Sequence, residues 1–597
     1  MAQSPLDNSE GDVQVLITCD GAALPDTAQI LSLEVTHAVN RIPSARVVLL
    51  DDSEVDAARR LALSDGDLFK PGAAIEIKAG HGSAADLIFS GIVVRHGVRI
   101  GPFGRSRLVV ECRDKAVRMT VGRRSANFVD MSDDAILSKL VKAHGLAASV
   151  DATAVTHKEL VQYDVSDWDF VLARAEANGL LALVEAGKVT LAAPDTSAAA
   201  ALAVEYGVDL LELDGDIDAR SQLAAVGGVA WDPATQDVLE HSASPATLNR
   251  QGDLDGATLA GVLGLDSFRL QSAAALDSDA LKAWTAARQM RAGLARVRGR
   301  MRFIGSALAR PGTLLTVSGA GKRFDGDAWL SSVTHMIAGG DWTTEAEFGL
   351  APETQSERGE LAAPLASGLT AGVSGLQVGV VMKLDEDPRT QYRVQVSLPV
   401  TKAETAGVWA RLAGHYASDG IGGFFIPEIG DEVVLGYVNG DPSHPVILGS
   451  LYSNKRKAPY EPTADNFTKA LVTRSKLKVE FDDDKKSITI ATPGQNTIVL
   501  SDDAKSIVLQ DQTGNRVTLD TNGITLDSPK DIAITAKGKI TLDAVGNVAV
   551  SSKGDIKQDA LNIASTARMA LTVKGSASAE LSASGQTVVK GALVMIN

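Results

Sequence analysis

Residues 524–550 read ITLDSPKDIAITAKGKITLDAVGNVAV, and one short unit recurs in them. Apolar residues lie eight positions apart at Ile524, Ile532, Ile540 and Val548, and a second apolar residue follows each of them two positions later. An apolar-x-apolar triplet places both apolar side chains on one face of a strand. Glycine or small polar residues between the triplets permit sharp turns. The run therefore predicts a series of short strands with a single apolar face.

A single copy of this ribbon cannot bury its apolar face, because short isolated strands are marginally stable in water. Repeats bury such a face only against neighbours. We therefore interpret residues 481–597 as a needle in which three identical chains form an intertwined triple-stranded β-helix. The alternative is a single-chain solenoid, which needs capped ends. The chain instead finishes on an apolar segment that predicts a covering tip protein, with the binding residues Leu593, Val594, Met595, Ile596 and Asn597.

Composition restricts the remaining possibilities. The chain has 597 residues, of which 45% are hydrophobic and 4% aromatic, and this length predicts several domains. The net charge of −16 disfavours nonspecific binding to nucleic acid. Cys19 and Cys112 are the only cysteines, which argues against a disulfide framework or a thiolate metal site. We find no apolar signal region at the start and no stretch of about 18 apolar residues that could span a bilayer.

Changes in residue pattern along the chain predict a mainly β protein of several domains. Short strands of alternating apolar and polar residues, separated by turns, dominate the first N-terminal segment and recur in the segment that follows the insertion. A segment rich in Ala, Ser, Gly and Leu is interpreted as a linker. We divide the chain as follows: flexible N-terminus 1–12, first β-barrel 13–125, α/β insertion 126–203, second β-barrel 204–361 with a helix at 278–298, linker 362–375, OB-type barrel 376–452, neck 453–480 and β-helix needle 481–597.

The first and second β-barrels contain similar motifs. In the first, Lys70-Pro-Gly72 precedes Phe89-Ser-Gly91 and His96; in the second, Arg310-Pro-Gly312 precedes Phe324-Asp-Gly326 and His335. One interpretation is an internal duplication, so that three chains would present six similar barrels. The other is independent use of the same turn residues. The sequence leaves both open.

Three helices are predicted in the N-terminal half of the chain. One starts at Ser132 and ends at Gly145, and another starts at Ser166 with a capping-box-like pattern and runs to Gly179. The aromatic stripe of this second helix, around Trp168 and Phe170, is interpreted as a core face. The third, 278–298, is capped by Ser278 in this interpretation and presents arginines that mark a solvated face or a partner contact: Arg288, Arg291, Arg296 and Arg298.

Residues 376–452 contain five short strands separated by Gly/Pro turns, a pattern typical of an OB-type barrel. Basic residues are sparse and no stacking platform is visible, so a nucleic-acid ligand is not supported. Within this segment, Ile426-Pro-Glu-Ile-Gly-Asp-Glu-Val-Val434 and Asn439-Gly-Asp-Pro-Ser-His-Pro-Val-Ile-Leu-Gly-Ser-Leu-Tyr452 closely resemble the small-barrel signature of VgrG-type spike proteins and phage baseplate spikes. Gln162–Phe170 resembles the hub signature of the same family, and Gly591–Asn597 resembles its needle end.

The resemblance implies a trimeric central spike of a contractile injection system. The two N-terminal barrels would form its hub, which would dock on a hexameric inner tube or tube-initiator protein and anchor baseplate wedge proteins. The apex, at the C-terminal end of the needle, would carry a PAAR-repeat tip protein. The resemblance also implies effector cargo and transient contact with a target membrane. Assembly is expected in a bacterial cytoplasm as part of a phage-tail-like particle, nearest to extracellular systems. A type VI secretion VgrG, a phage tail spike and a receptor-binding fibre are the alternatives.

Residues for catalysis or cofactor binding are not evident. Nine histidines form no HxH or HExxH pair, and no Gly-x-Ser-x-Gly motif occurs. Asp482-Asp-Asp484 could hold calcium, but a solvated turn is favoured because no EF-hand pattern surrounds it. His444 is interpreted as a turn residue, since it lies between Asp441-Pro442 and Pro445. We therefore expect no enzyme activity, no cofactor and no metal.

Overall fold

The computed structural model of the chain describes residues 2–51, 61–82, 85–102, 105–246, 248–358, 363–401 and 407–596. They form two compact units, Met1–Leu451 and Tyr452–Asn597. Strands far outnumber helices, so the predicted mainly β class is confirmed. In the described part of the chain, every helix is too short or too polar to cross a membrane.

The first half of the N-terminal unit is an antiparallel sheet with its own core. Alternating residues of its strands face inward, as in Ala74–His81, where Ile75, Ile77 and Ala79 are buried while their neighbours are exposed. Phe69 and Phe89 close this core. The strands are β1 (Val13–Cys19), β2 (Ala22–Ala23), β3 (Ile30–Ala38), β4 (Ser44–Leu50), β5 (Ala74–His81), β6 (Asp86–Ile100) and β7 (Ser106–Arg113).

An α/β insertion follows, and its helices begin as predicted. Ser166 accepts a hydrogen bond from the Asp169 backbone N at 3.1 Å, so it caps its helix with its side chain. Ser132 precedes the other helix without such a bond. The stripe around Trp168 and Phe170 is buried in the insertion's core, as expected. The elements are β8 (Arg124–Ser132), α1 (Asp133–Ala143), β9 (Ala147–Val150), β10 (Thr156–Val165), α2 (Asp167–Ala177), β11 (Leu181–Glu185) and β12 (Lys188–Ala192).

The second half of the N-terminal unit is again a sheet with a separate core around Met301, Phe303 and Phe348. The predicted helix 278–298 ends at Leu294, because a strand begins at Val297, and its cap is Asp277 rather than Ser278. The elements are β13 (Leu202–Glu205), β14 (Leu210–Ile217), β15 (Val226–Asp232), β16 (Asp237–Ala243), α3 (Gly256–Ala260), β17 (Phe268–Ser272), α4 (Ser278–Leu294), β18 (Val297–Ile304), β19 (Leu314–Ser318), β20 (Gly326–Ala338) and β21 (Asp341–Phe348).

The two halves form one 13-stranded sheet, joined by antiparallel pairing of β20 with β3. Within the first half, β3, β4, β7, β6 and β5 pair in that order; within the second, β14, β18, β21, β20 and β19 pair in the same order. Even the irregularities recur. β3 is bulged at residues 30–32 and β14 at 210–212. β6 is bulged at 93–95 and β20 at 330–332. A shared pairing order with shared bulges favours the duplication over independent turns.

Backbone hydrogen bonds fix which residues correspond. Gly72 N donates to Val93 O at 2.8 Å, and Gly312 N donates to Leu330 O at 2.7 Å, so Val93 corresponds to Leu330. The sequence motifs matched His96 with His335, which differs by two residues from the correspondence given by these hydrogen bonds. In the strand register, His96 corresponds to Val333, and that part of the motif match was wrong.

Residues 377–451 form the predicted five-stranded closed barrel, in the order β22-β23-β24-β28-β27. Its core consists of Val381, Val394, Val396, Ala410, Val433, Leu435 and Ile447. The strands are β22 (Gln377–Lys383), β23 (Val394–Ser397), β24 (Val408–Leu412), β25 (Ala417–Ser418), β26 (Ile421–Gly422), β27 (Glu432–Tyr437) and β28 (Pro445–Leu451). β25 and β26 form a separate hairpin.

The C-terminal unit contains a single antiparallel meander of seven five-residue strands. It begins at Thr468, within the segment predicted as the neck, and ends at Asp527. From 528 to 596 the described chain contains no strand. The strands are β29 (Thr468–Val472), β30 (Lys478–Asp482), β31 (Ser487–Ala491), β32 (Thr497–Ser501), β33 (Ser506–Gln510), β34 (Arg516–Asp520) and β35 (Gly523–Asp527).

Candidate functional site

One face of the seven-stranded meander is aliphatic from strand to strand. Ile488 lies opposite Leu500, and Leu500 lies opposite Ile507. Ile490 likewise lies opposite Ile498, which lies opposite Leu509. All six side chains are 37–43% exposed, whereas the core residues of the OB-type barrel are almost completely buried. A one-layer sheet of this kind needs a covering surface to be stable in water.

The apolar ribbon continues beyond the last strand of the meander. Ile532, Ile540, Val548 and Ile556 keep the eight-residue spacing, and all four side chains are more than half exposed. The segment 528–596 contains no backbone-to-backbone hydrogen bond in the described structure. Its apolar side chains, and its amide groups other than those of Lys530 and Gly554, which donate to serine side chains, are therefore available to other chains.

The predicted tip residues lie at the end of this ribbon. Leu593, Val594, Met595 and Ile596 are all exposed, and no charged residue lies among them. Asn597 lies outside the described residues. The end of the chain thus presents an apolar segment on a ribbon that is itself uncovered.

Three domain families match the chain. The Alg8 N-terminal domain matches residues 9–339, more than half of the chain. The Type VI secretion system/phage-baseplate injector OB domain matches residues 377–452, and the phage baseplate V C-terminal trimerisation domain matches residues 487–594. The chain belongs to the VgrG-type spike proteins, with an Alg8 N-terminal domain. The trimerisation match contains most of the uncovered apolar face and the ribbon.

Individual relatives of the spike are distant. The type VI secretion system spike protein VgrG1b of Pseudomonas aeruginosa is 28% identical over 198 residues, which is 30% of this chain and only 25% of that protein. VgrG1c of the same organism is 32% identical over 126 residues, 20% of this chain and 17% of that protein. The spike therefore matches about a quarter or less of the length of these relatives.

Two solved structures that the chain resembles are also remote in sequence. A tail protein from Neisseria meningitidis has a TM-score of 0.43 and 14% identity, and covers 58% of the spike and 99% of its own chain. The E. coli c3393 protein, a type VI secretion system component, has a TM-score of 0.38 and 12% identity, and covers 73% of the spike and 99% of its own chain.

Groups that could carry chemistry in the spike are mostly internal. Burial raises the pKa of the Cys19 thiol to about 11 and that of Cys112 to about 12, so both are protonated near neutral pH. Among the described residues, no group of three or more His, Cys, Asp or Glu side chains could hold a metal ion. Asp482 accepts the backbone N–H of Lys485 at 3.0 Å, a turn contact, and His444 Nδ1 lies 3.1 Å from Asp441 Oδ2 in another turn.

A buried polar cluster in the insertion is the strongest candidate for a reactive group, and it is fully engaged. Asp133 receives two hydrogen bonds of 2.8 Å from Arg174 and one of 2.9 Å from Asn178, while His157 Nε2 lies 2.9 Å from its Oδ2. Burial opposes ionisation, but these donors, Arg174 foremost, hold the pKa of Asp133 below its ordinary value. The cluster joins α1, β10 and α2 and is structural.

The arginines of the third helix do not form a solvated face. Arg291 is buried and donates to Glu176 at 2.8 Å, which ties α4 to α2. Arg296 donates to backbone carbonyls of 249, 251 and 254, and Arg288 contacts Glu357 at 3.1 Å. Arg296 and Arg298 both lie beyond the end of the helix, and Arg298 is part of β18. Both interpretations of the arginine pattern were wrong for Arg291 and Arg296, whose partners are within the chain.

A buried histidine lies at the junction of the two halves, and it was named from the sequence only as part of the duplicated motif. His335 lies in β20, and its Nδ1 is 3.0 Å from Thr344 Oγ1. Burial, with a smaller contribution from neighbouring His37, lowers the pKa of His335 to about 3. Its position opposite Val35 of β3 shows that it belongs to the packing between the halves. The motif gave no indication that this histidine is buried.

Proposed function

We propose that three copies of this chain form the central spike and hub of a contractile injection system. The N-terminal hub docks on the hexameric inner tube and anchors the baseplate wedge proteins, and the needle points outward. A PAAR-type tip protein binds the apex, and sheath contraction drives the assembly through the target membrane. The particle is assembled in a bacterial cytoplasm, and the chain makes or breaks no bond itself.

The uncovered aliphatic face that continues into the ribbon is the observation that carries this proposal. Fully burying one Val, Leu or Ile side chain contributes about 1.5–3 kcal/mol. Many such side chains line the face and the ribbon, so a partner that covers them gains a large free energy. Identical chains are the natural partner, because the same eight-residue spacing recurs on each of them. The match of residues 487–594 to a trimerisation domain supports three copies.

Mechanical work suits this arrangement. Strand pairing between chains leaves no open sheet edge in the needle, so neither fraying nor edge-to-edge aggregation has a starting point. Compressive failure would require three chains to unwind together. The absence of an enzymatic step is supported by the engaged state of the Asp133 cluster and by the protonated, buried thiols.

The decisive experiment is the solution mass of the full chain and of a variant that ends before Thr468. The full chain should have three times the 62.3 kDa mass of one copy and resist heat, whereas the shortened chain should lose this stability. A monomeric full chain would contradict the proposal and leave the single-chain solenoid. Hydrolysis of peptidoglycan by the purified trimer would contradict the non-enzymatic role.

A second experiment addresses the tip. Deletion of residues 593–597 should leave the trimer mass unchanged but abolish copurification of a PAAR-repeat protein. The matched control is Lys590→Ser, which alters a charged residue just before the apex. Retained copurification after the deletion would assign the tip contact to another part of the needle.

A further inference from the structure

The junction between the two halves of the chain shows how one half pairs with another. β20 runs antiparallel to β3, from Ser332 opposite Ala38 to Ala338 opposite Ser32. Its inner face contains the side chains Leu33, Val35, His335 and Ile337, which are all buried. On the outer face, the hydroxyl oxygens of Thr36 and Thr334 lie 3.1 Å apart.

The duplication supplies a counterpart for each strand of this junction. β6 corresponds to β20, and β14 corresponds to β3. In the described chain, β6 pairs with β5 only as far as Ile92, so residues 95–100 are paired on one side alone, with β7. Among the strands that the structure describes, β14 ends the sheet and pairs only with β18. Each chain therefore has one open edge equivalent to β20 and one open edge equivalent to β3.

We infer that these two open edges pair with each other between neighbouring copies of the chain, in the register of the internal junction. The inference rests on the proposed trimer, which supplies the second copy. Three chains would then form a ring of six halves, in which internal and intermolecular junctions alternate. Transfer of the internal register gives the opposed residues Arg95 and Asp218, His96 and Ile217, Gly97 and Asp216, Val98 and Gly215, Arg99 and Asp214, and Ile100 and Leu213.

Charge supports this register independently of the duplication. The outer face of β6 presents Arg95 and Arg99, and the outer face of the β14 edge presents Asp214, Asp216 and Asp218. In the inferred register each arginine lies directly opposite an aspartate. Oppositely charged cross-strand pairs stabilise a sheet, and like charges directly opposite destabilise it. Within one chain Arg95 already contacts Glu111 and Asp214 lies opposite Arg300, so the inferred junction would add a second opposite charge to each of these side chains.

Exposure of apolar residues supports the same pairing. Ile337 is 6% exposed in the internal junction, but its counterpart Ile100 is 72% exposed. Leu33 is buried, whereas its counterpart Leu213 is only half-buried. The inferred junction places Ile100 and Leu213 opposite each other and covers both.

Disulfide trapping in the full-length chain tests the pairing. Directly opposed antiparallel residues have Cα atoms about 4.5–5.5 Å apart, within disulfide range. The double variant Arg99→Cys with Asp214→Cys should form covalent trimers on mild oxidation. The native cysteines Cys19 and Cys112 are buried and give little background.

Two matched controls fix the geometry. Glu34→Cys with Met336→Cys places cysteines at the equivalent positions of the internal junction, so it should form a bond within one chain. Arg99→Cys with Asp216→Cys shifts the pair by two residues, and its yield of covalent trimer should be about tenfold lower because diagonal neighbours lie beyond disulfide range.

The outcomes separate this inference from the proposed function. Covalent trimers from the Arg99/Asp214 pair, at higher yield than from the shifted pair, support the inference. A trimer by solution mass that shows the internal Glu34/Met336 bond but no bond between chains overturns the inference and leaves the trimeric spike intact. A higher yield from the shifted pair overturns the register. A monomer by solution mass overturns both.

Discussion

Replacing Ile540 with aspartate should destabilise the assembled needle, whereas the same change at Thr541 should not. The two residues are neighbours in one apolar-x-apolar triplet, so in the strands of the proposed needle their side chains point to opposite faces of the ribbon. Ile540→Asp places a carboxylate on the face that the trimer covers. Thr541→Asp places the same charge on the face directed to solvent, and is therefore the matched control.

The expected magnitude follows from exposure. Ile540 is 53% exposed in the single chain, so assembly can still bury about half of its surface. Half of the usual 1.5–3 kcal/mol for an isoleucine is about 1 kcal/mol per chain, or roughly 3 kcal/mol for three copies. Each buried carboxylate adds several kcal/mol of desolvation. The apolar loss alone lowers the association constant of the trimer by about a hundredfold.

Light scattering after size-exclusion chromatography, repeated after stepwise heating, measures the effect. Ile540→Asp should dissociate at a lower temperature and lower chain concentration than the unmodified spike, and Thr541→Asp should match it. Equal behaviour of both variants would refute the idea that the apolar triplets face the axis. Destabilisation by Thr541→Asp alone would place the opposite face inside.

Three further outcomes are expected. His335 stays neutral in the folded state but binds a proton near pH 6.5 when unfolded. The free energy of unfolding should therefore fall by about 1.4 kcal/mol per pH unit as the pH drops from 6.5 towards 3. In urea unfolding, His335→Gln should remove this slope, whereas the exposed control His415→Gln should retain it. Arg291→Met should cost about 3–5 kcal/mol by leaving the Glu176 carboxylate buried without its cation, measured by tryptophan fluorescence during unfolding. Adding Glu176→Gln should recover part of that loss; an additive further loss would contradict the ion-pair explanation.

Local patterns in the sequence predicted the elements whose signals are local. The five strands of the OB-type barrel alternate between buried and exposed residues and are separated by Gly/Pro turns. The presence of these strands and the type of barrel could therefore be predicted. Ser166 caps α2 because a serine followed by acidic residues is a signal contained within one turn. The apolar triplets predicted a series of short strands. β35 is one of them, whereas the described residues 528–596 form no strand within a single chain.

Register and long-range partners could not be predicted in the same way. The motif match between His96 and His335 failed because it aligned residues by type, whereas strand pairing makes Val333 the counterpart of His96. The duplication itself is visible in the pairing order. Arg291 looked like part of a charged surface because its partner Glu176 lies 115 residues away. A pattern of charges contains no information about burial by a distant helix.

The two kinds of junction differ in chemistry for a physical reason. The internal β3–β20 junction is formed by strands of one chain, so covalent connection keeps its edges at high effective concentration. Its outer face can then consist of neutral contacts such as Thr36 with Thr334. The edges of β6 and β14 must remain soluble before assembly and must reject incorrect partners. Charged residues on an open edge achieve both, because they discourage pairing with any strand that lacks the complementary charges. An arginine edge and an aspartate edge on the same chain therefore favour head-to-tail addition of copies, and a ring that closes after three additions leaves neither edge exposed.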